Sequence, residues 1–131
     1  MLNDATVKPM LPVSDLAAAE TFYEKTLGLE KVDGMPGVAV TYRSGKGTLN
    51  VYRSDYAGTN QGTAALFEVD DVESTARELK GKGVTFESYD LPGMTRKGDV
   101  HFGGRIKVAW FKDPSGNILS IQNRPDDTGK H

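Results

Sequence analysis

The sequence predicts an α+β fold made of two βαβββ modules in tandem. Three observations lead there: an internal echo, two amphipathic helical patterns placed at equivalent points of that echo, and a run of short strands after each helix. Val13-Ser14-Asp15-Leu16 recurs as Val69-Asp70-Asp71-Val72, an offset of 56 residues. Repetition at a fixed spacing is the mark of a duplicated unit and has to be read before any single element.

Each copy of the echo follows an extended, partly β-branched run, Ala5 to Val13 in the first and Thr63 to Val69 in the second. Each then opens a helical pattern. Leu16, Ala19, Tyr23 and Leu27 fall on one face, and Val72, Ala76 and Leu79 on another, at the 3.6-residue spacing of a helix that packs one side. Ser14 and Asp70 stand where N-caps are expected, Glu73 lies three after Asp70 as in a capping box, and Gly28 and Gly83 follow the last turns.

Strands follow. In the first half they are predicted over Glu30 to Asp33, Gly37 to Arg43 and Thr48 to Arg53, separated by Met35-Pro36-Gly37 and Ser44-Gly45-Lys46-Gly47 turns. In the second half they run over Val84 to Tyr89, Ile106 to Lys112 and Asn117 to Gln122. Asp113-Pro114-Ser115-Gly116 between the last two is tight-turn chemistry. Between Asp90 and Arg105, Gly93, Gly98, Gly103 and Gly104 break any regular period, which predicts a long loop or irregular arm. Arg96, Lys97, His101, Arg105 and Lys107 lie in or beside it, and a solvated arm, a subunit contact and a ligand-closing lid are all consistent with that charge.

The chain has 131 residues, the size of one domain: module 1 over about 5–53, module 2 over about 63–124, and a polar tail over 125–131 expected to fray. Hydrophobic residues make up 37% and charged residues 26%, a balance that supports a packed core. Sixteen basic and eighteen acidic side chains leave a net charge of -2 with no dense basic stripe, which argues against nucleic acid as partner. The longest apolar stretches fall far short of the ~20 residues of a membrane helix, and Met1 to Met10 has no apolar signal segment. A cytoplasmic location with no membrane partner is the expectation. With no cysteine, thiolate nucleophiles, disulfides and cysteine-bound metals are excluded, and His101 and His131 are the whole histidine supply.

Pro12-Val13-Ser14-Asp15-Leu16 leading to Phe22-Tyr23 and Leu27-Gly28, with the closing Trp110-Phe111-Lys112-Asp113-Pro114-Ser115-Gly116-Asn117-Ile118-Leu119, resembles the vicinal oxygen chelate superfamily. That superfamily includes glyoxalase I, extradiol dioxygenases, fosfomycin-resistance enzymes and bleomycin-binding proteins. The resemblance runs from about Ala5 to Arg124 and rests on the order and spacing of the phrases. It implies eight strands in two curled, mixed, four-stranded sheets around a cleft, with the helices outside. Homodimers are common among its small members, so it also implies a homodimer.

Such a scaffold hosts several chemistries, so function has to be read at the site. In metal-dependent members one ligand comes from the first strand of each module and one from the last. Carried onto this sequence by motif and by the 56-residue offset, those positions are Lys8, Ala64, Ser120 and Thr48, the last with an alternative alignment at Asn50. A cation such as zinc, nickel or iron needs several imidazole, carboxylate or thiolate donors. Lysine, alanine and two hydroxyls do not supply them, so no metal and no other cofactor is expected. A noncognate set built on His101 with Asp99 or Glu68 is the alternative, and would restore a glyoxalase-like lyase or isomerase or a dioxygenase.

Strand alternation sends residues two apart to one face. If Lys8 faces the cleft so does Met10, with Val7, Pro9 and Leu11 under the helices. Thr48, Asn50 and Tyr52 then line the cleft, with Ala64, Leu66 and Glu68, then Ile118, Ser120 and Gln122, and Trp110 from its own strand. Apolar and aromatic walls with a few polar anchors are how small-molecule pockets are built. The ligand-binding set is therefore Lys8, Met10, Thr48, Asn50, Tyr52, Leu66, His101, Trp110, Ser120 and Gln122. A small hydrophobic or aromatic ligand would stack on Trp110 or Tyr52 and place an anionic group at Lys8. Each residue has a plainer role beside this one: core filling for the aromatics, pairing with Glu68 or solvent for Lys8, and backbone satisfaction for Asn50, Ser120 and Gln122.

No catalytic residue is assigned. A buried Lys8 acting as base or Schiff-base amine, assisted by Glu68 or His101, stays open, whereas Ser120 has no histidine neighbour in the aligned cleft. The resemblance therefore implies a metal-independent, bleomycin-resistance-like binder first and a metal-using enzyme second.

Overall fold

The computed structural model describes residues 1–124, so the 125–131 tail lies outside the described residues. Among the described residues ten strands and two α-helices are present: β1 (Met10–Val13), α1 (Leu16–Thr21), β2 (Glu30–Met35), β3 (Ala39–Ser44), β4 (Gly47–Arg53), β5 (Thr63–Val69), α2 (Val72–Gly81), β6 (Phe86–Glu87), β7 (Thr95–Lys97), β8 (Val100–Gly103), β9 (Ile106–Lys112) and β10 (Ile118–Asn123). The first four strands form one sheet in the order β1-β4-β3-β2. The other six form a second, β5-β10-β9-β8-β7, with β6 also on β9. In each sheet the strand before the helix pairs in parallel with the last strand of its module, β1 with β4 and β5 with β10, and the other pairs are antiparallel. This is the predicted α+β architecture of mixed sheets with helices on one face.

The core is the helix side of both sheets. Leu11, Val13, Val40, Tyr42, Leu49 and Val51 from the first sheet and Ala109, Phe111, Leu119 and Ile121 from the second join Ala19, Tyr23, Val72, Ala76 and Leu79 of the helical segments in one cluster. The helix faces read from 3.6-residue spacing are thus the buried ones. Both helices start one residue later than predicted. Asp15 and Asp71, not Ser14 and Asp70, are the N-caps, accepting from the N–H groups of Ala18 (3.1 Å) and Ser74 (3.0 Å). Aspartate's charge suits the positive helix end. Glu73 therefore falls outside a capping box and instead pairs with Lys107 at 3.1 Å. The first helix continues as a π-helical turn over Phe22–Thr26, which carries Tyr23 into the core.

Two strand predictions and one loop prediction need correction. The run Ala5 to Val13 is a strand only from Met10, and Val7 is 88% exposed rather than under a helix. Proline explains the stop. Asn50 N donates to Pro9 O at 3.1 Å, so the next rung back would run from the nitrogen of residue 9 to the Thr48 carbonyl, and proline has no N–H. The Val84 to Tyr89 run shortens to Phe86–Glu87. The expected 90–105 arm is largely a hairpin: Lys97 faces Val100 across the two residues Gly98 and Asp99, with Gly98 at φ +65° where a tight hairpin turn calls for glycine. The second sheet has six strands rather than four for that reason.

One polar cluster joins the two sheets. Tyr23 Oη donates to the buried Asp113 carboxylate at 2.7 Å, and the other Asp113 oxygen accepts from the N–H groups of Ser115 and Asn117. Asn117 Nδ2 donates to Asp113 at 2.9 Å and to the Pro12 carbonyl of β1 at 2.6 Å. The turn read as local chemistry is the staple between module 1 and module 2.

Candidate functional site

The sheet face turned away from the helices carries the site. On β9 and β10, Trp110 stands opposite Ser120, and on β10 and β5, Ser120 stands beside Leu66. Neighbouring strands lie ~4.8 Å apart, so Leu66, Ser120 and Trp110 form one row roughly 10 Å across. Ser120 is buried in its middle, Trp110 is half-buried and Leu66 is 47% exposed. Gln122, paired with Glu68 and Val108, belongs to the next row on the same face.

His101 sits on β8 against Val108 and is 1% exposed. Its ring meets the Trp110 indole edge-on, centroids 4.9 Å apart, and Tyr89 meets Trp110 at 5.2 Å in the same manner. Such edge-to-face contacts follow from the ring quadrupoles. His101 Nε2 lies 3.1 Å from both the N–H and the carbonyl of Tyr89, while Nδ1 is buried with no hydrogen-bond partner. Burial raises the Tyr89 phenol above its ordinary value, with the Glu87 carboxylate adding to the effect. Tyr89 was absent from the predicted set. Its strand assignment placed it only in a run, and the contact with Trp110 is made by a non-regular segment that periodicity does not orient.

Alternation fails at one point on β5. Ile118 faces Thr63 whereas Leu119 faces Ala65, so Ala64 is the extra residue of a bulge and Thr63 takes the position beside Ile118. Trp110 Nε1 donates to Thr63 Oγ1 at 3.1 Å, which fixes the indole's orientation.

On the first sheet Met10 and Asn50 are partners, as are Pro12 and Tyr52. Asn50 is buried and spent: its amide oxygen accepts from Thr41 Oγ1 at 2.6 Å and its Nδ2 donates to Pro9 O at 3.2 Å. Met10 is 58% exposed, Tyr52 half-buried and Thr48 exposed. Lys8 lies exposed before β1, which removes the burial on which its reading as a base rested.

An open groove of about 860 Å³ runs between the two sheets. Pro9, the 44–49 segment, the 64–68 segment and Arg124 line it, so Thr48 and Leu66 are the predicted site residues it brings together. His101, Trp110, Ser120 and Gln122 lie beyond it on the second sheet, reached along the Leu66 row, and Lys8, Met10, Asn50 and Tyr52 lie outside its walls.

The donor chemistry does not fit a metal. Lys8 is exposed, Ala64 is in the bulge, and Thr48 and Ser120 offer only neutral hydroxyls. His101, the heart of the noncognate set, is enclosed by Trp110 and Tyr89, and Asp99 is held by Lys80 at 3.0 Å. Among the described residues no three His, Asp or Glu side chains gather closely enough to hold an ion.

Residues 5–121 match the family model of the Glyoxalase/Bleomycin resistance protein/Dioxygenase superfamily. The chain belongs to that superfamily. Among solved superfamily-like folds, a lactoylglutathione lyase from Agrobacterium tumefaciens is similar at 21% identity and TM-score 0.66, with 92% of this chain and 93% of that one covered. The antibiotic-binding protein TnmS3 from Streptomyces sp. CB03234 is similar at 23% identity and TM-score 0.65, covering 91% and 97%. A glyoxalase/bleomycin resistance protein from the same Streptomyces is similar at 24% identity and TM-score 0.61, covering 89% and 97%. These likenesses establish the fold. No curated protein sequence matches the chain. No helix among the described residues is long and apolar enough to cross a membrane.

Proposed function

We propose that this superfamily member is a cytoplasmic, metal-independent binder of a small hydrophobic or aromatic molecule, protecting by sequestration as bleomycin-resistance-type proteins do. The observation that carries the reading is the row Leu66–Ser120–Trp110: an apolar wall of the groove continues on to a half-buried indole clamped by Thr63, Tyr89 and His101. A preoriented aromatic plane next to an open groove binds flat apolar ligands at little ordering cost. The position of an antibiotic-binding protein among its structural likenesses supports a small molecule as ligand. Thr48 joins Leu66 in the groove wall, His101, 1% exposed, supports the indole from beneath, and Met10 and Tyr52 on the first sheet, with Lys8 just before it, lie outside the walls. Exposed Met10 on the first sheet and exposed Leu66 on the second also support a homodimer, which light scattering tests directly.

Titration with 8-anilinonaphthalene-1-sulfonate, a flat apolar anion, followed by its own emission, tests the reading. Saturable binding is expected, and Trp110→Ala should weaken it about three- to tenfold, the worth of one aromatic contact. Unsaturable binding, or binding indifferent to Trp110, overturns it. Metal analysis of untagged protein is expected to find far less than one equivalent. One tightly held ion per chain would instead restore a lyase, isomerase or dioxygenase reading.

A further inference from the structure

The walls of the groove have an unusual makeup. Five consecutive residues of β5, Ala64 through Glu68, line one side and the consecutive 44–49 segment lines the other. Side chains of one strand face alternate only every second residue, so an unbroken run can line a groove only where the strand presents its backbone edge. The topology agrees on both sides. Among the described residues β5 has β10 as its only partner, which leaves its outer edge without a ladder. β4 extends to Gly47, but its neighbour β1 stops at Met10, opposite Asn50.

Pro9 creates that gap. Alternation along β4 aims the backbone groups of residues 48, 50 and 52 at β1, and the residue 50 rung, to Pro9 O, is the last one made. Thr48 thus keeps an N–H and a C=O directed at the groove: the missing proline N–H leaves its carbonyl unclaimed, and β1, which begins only at Met10, does not reach back to take its N–H. Bare sheet edges are hazards that proteins cover or blunt. Here two of them face one cavity of about 860 Å³, within the ~300–1,000 Å³ range of ligand pockets.

We propose that the groove takes an extended, amide-bearing ligand of peptide character, which pairs its own amides with Thr48 and with the outer edge of β5. Strand addition of this kind gains affinity from main-chain hydrogen bonds and specificity from alternate side chains. Five residues of β5 span roughly 13 Å at ~3.3 Å per residue, room for four or five ligand residues. Charge selects further. Lys46 stands in the groove wall with no ion-pair partner among the described residues, so a carboxylate on the ligand meets it there. The inference deepens the binding reading above, and rests on it, by naming the chemistry of the ligand's polar part; Trp110 would receive whatever aromatic part the ligand carries.

The test uses a probe that has no aromatic group. Acetyl-Thr-Val-Thr-Val-Asp-amide is titrated into the ¹⁵N-labelled full chain and compared with the same peptide N-methylated at alternate residues. Expected are saturating shifts of the Thr48 amide and of the 64–68 amides, at least tenfold weaker binding of the N-methylated peptide, and severalfold weaker binding to Lys46→Glu. Pro9→Val restores a donor at residue 9, so it should extend β1 on to Thr48, remove the peptide-induced shift of the Thr48 amide and weaken binding severalfold. An Ala substitution at Pro9 supplies the same donor if valine disturbs the fold. No shifts, equal binding of the N-methylated peptide, or a Thr48 amide occupied by a second copy of the chain overturns the inference. If 8-anilinonaphthalene-1-sulfonate binds at Trp110 while the peptide does not, the binding reading stands and this inference alone falls.

Discussion

Tyr23 and Tyr42 are fully buried, and their hydroxyls donate to Asp113 and Glu24. Burial is the main reason both phenols are pushed well above their ordinary value, with the accepting carboxylates adding to it. The sign of the consequence is fixed by linkage. Above pH ~10 the unfolded chain releases these protons while the folded chain keeps them, so stability present below pH ~10 is lost as pH rises, by about 1.4 kcal/mol per pH unit for each tyrosine. Denaturant unfolding measured between pH 9 and 11 should show that decline, and Tyr23→Phe should make it shallower while lowering stability near pH 7. A decline unchanged in Tyr23→Phe would refute the assignment. Neither tyrosine's partner is legible in the sequence, since Asp113 is 90 residues from Tyr23 and looks like a turn residue.

At the scale of elements, connections matter as much as strands. The segment between β4 and β5 passes the staple turn so closely that a Cβ on Gly58 would lie 2.2 Å from the Ser115 carbonyl oxygen, and Gly58 is at φ +76°. Gly45, in the hairpin between β3 and β4, has φ +57° but open space around it. Gly45→Ala should cost only the ~1–2 kcal/mol of a left-handed non-glycine residue. Gly58→Ala adds a backbone clash to that cost and should destabilise clearly more, which thermal unfolding of the two variants side by side would measure. Equal losses would mean that the 58–115 approach relaxes without cost. The same scale explains the sequence misreadings. β-branched patterning carries a strand through Pro9 because it takes no account of a single missing N–H, and the 95–103 hairpin is masked by glycines that serve its turns.

Across the whole molecule, the two sheets share one core cluster and are tied by Tyr23, Asp113, Asn117 and Pro12. Loss of a buried, four-bonded carboxylate leaves several donors unsatisfied at ~1–3 kcal/mol each. The two modules should therefore unfold as one unit. Trp110, the only tryptophan, reports on the second sheet alone, while far-ultraviolet circular dichroism reports on both. Coincident transitions by the two probes are expected for the native chain. Asp113→Ala should shift both together to lower denaturant, and separated transitions in the native chain would show modules of independent stability.

Local patterning by itself determined the duplication, the buried helix faces and most strand positions, because each depends on residue spacing within one element; that Trp110, Ser120 and Leu66 stand side by side on one face is set by the register between three strands. Only the tertiary structure decided where β1 ends, how the bulge at Ala64 exchanges it for Thr63, that Tyr89 and His101 enclose the indole, and that a groove opens between two sheet edges. Those features arise where separate elements meet. Hydrogen-bond phase across strands and packing between segments set them, and neither is written in the periodicity of any one stretch of chain.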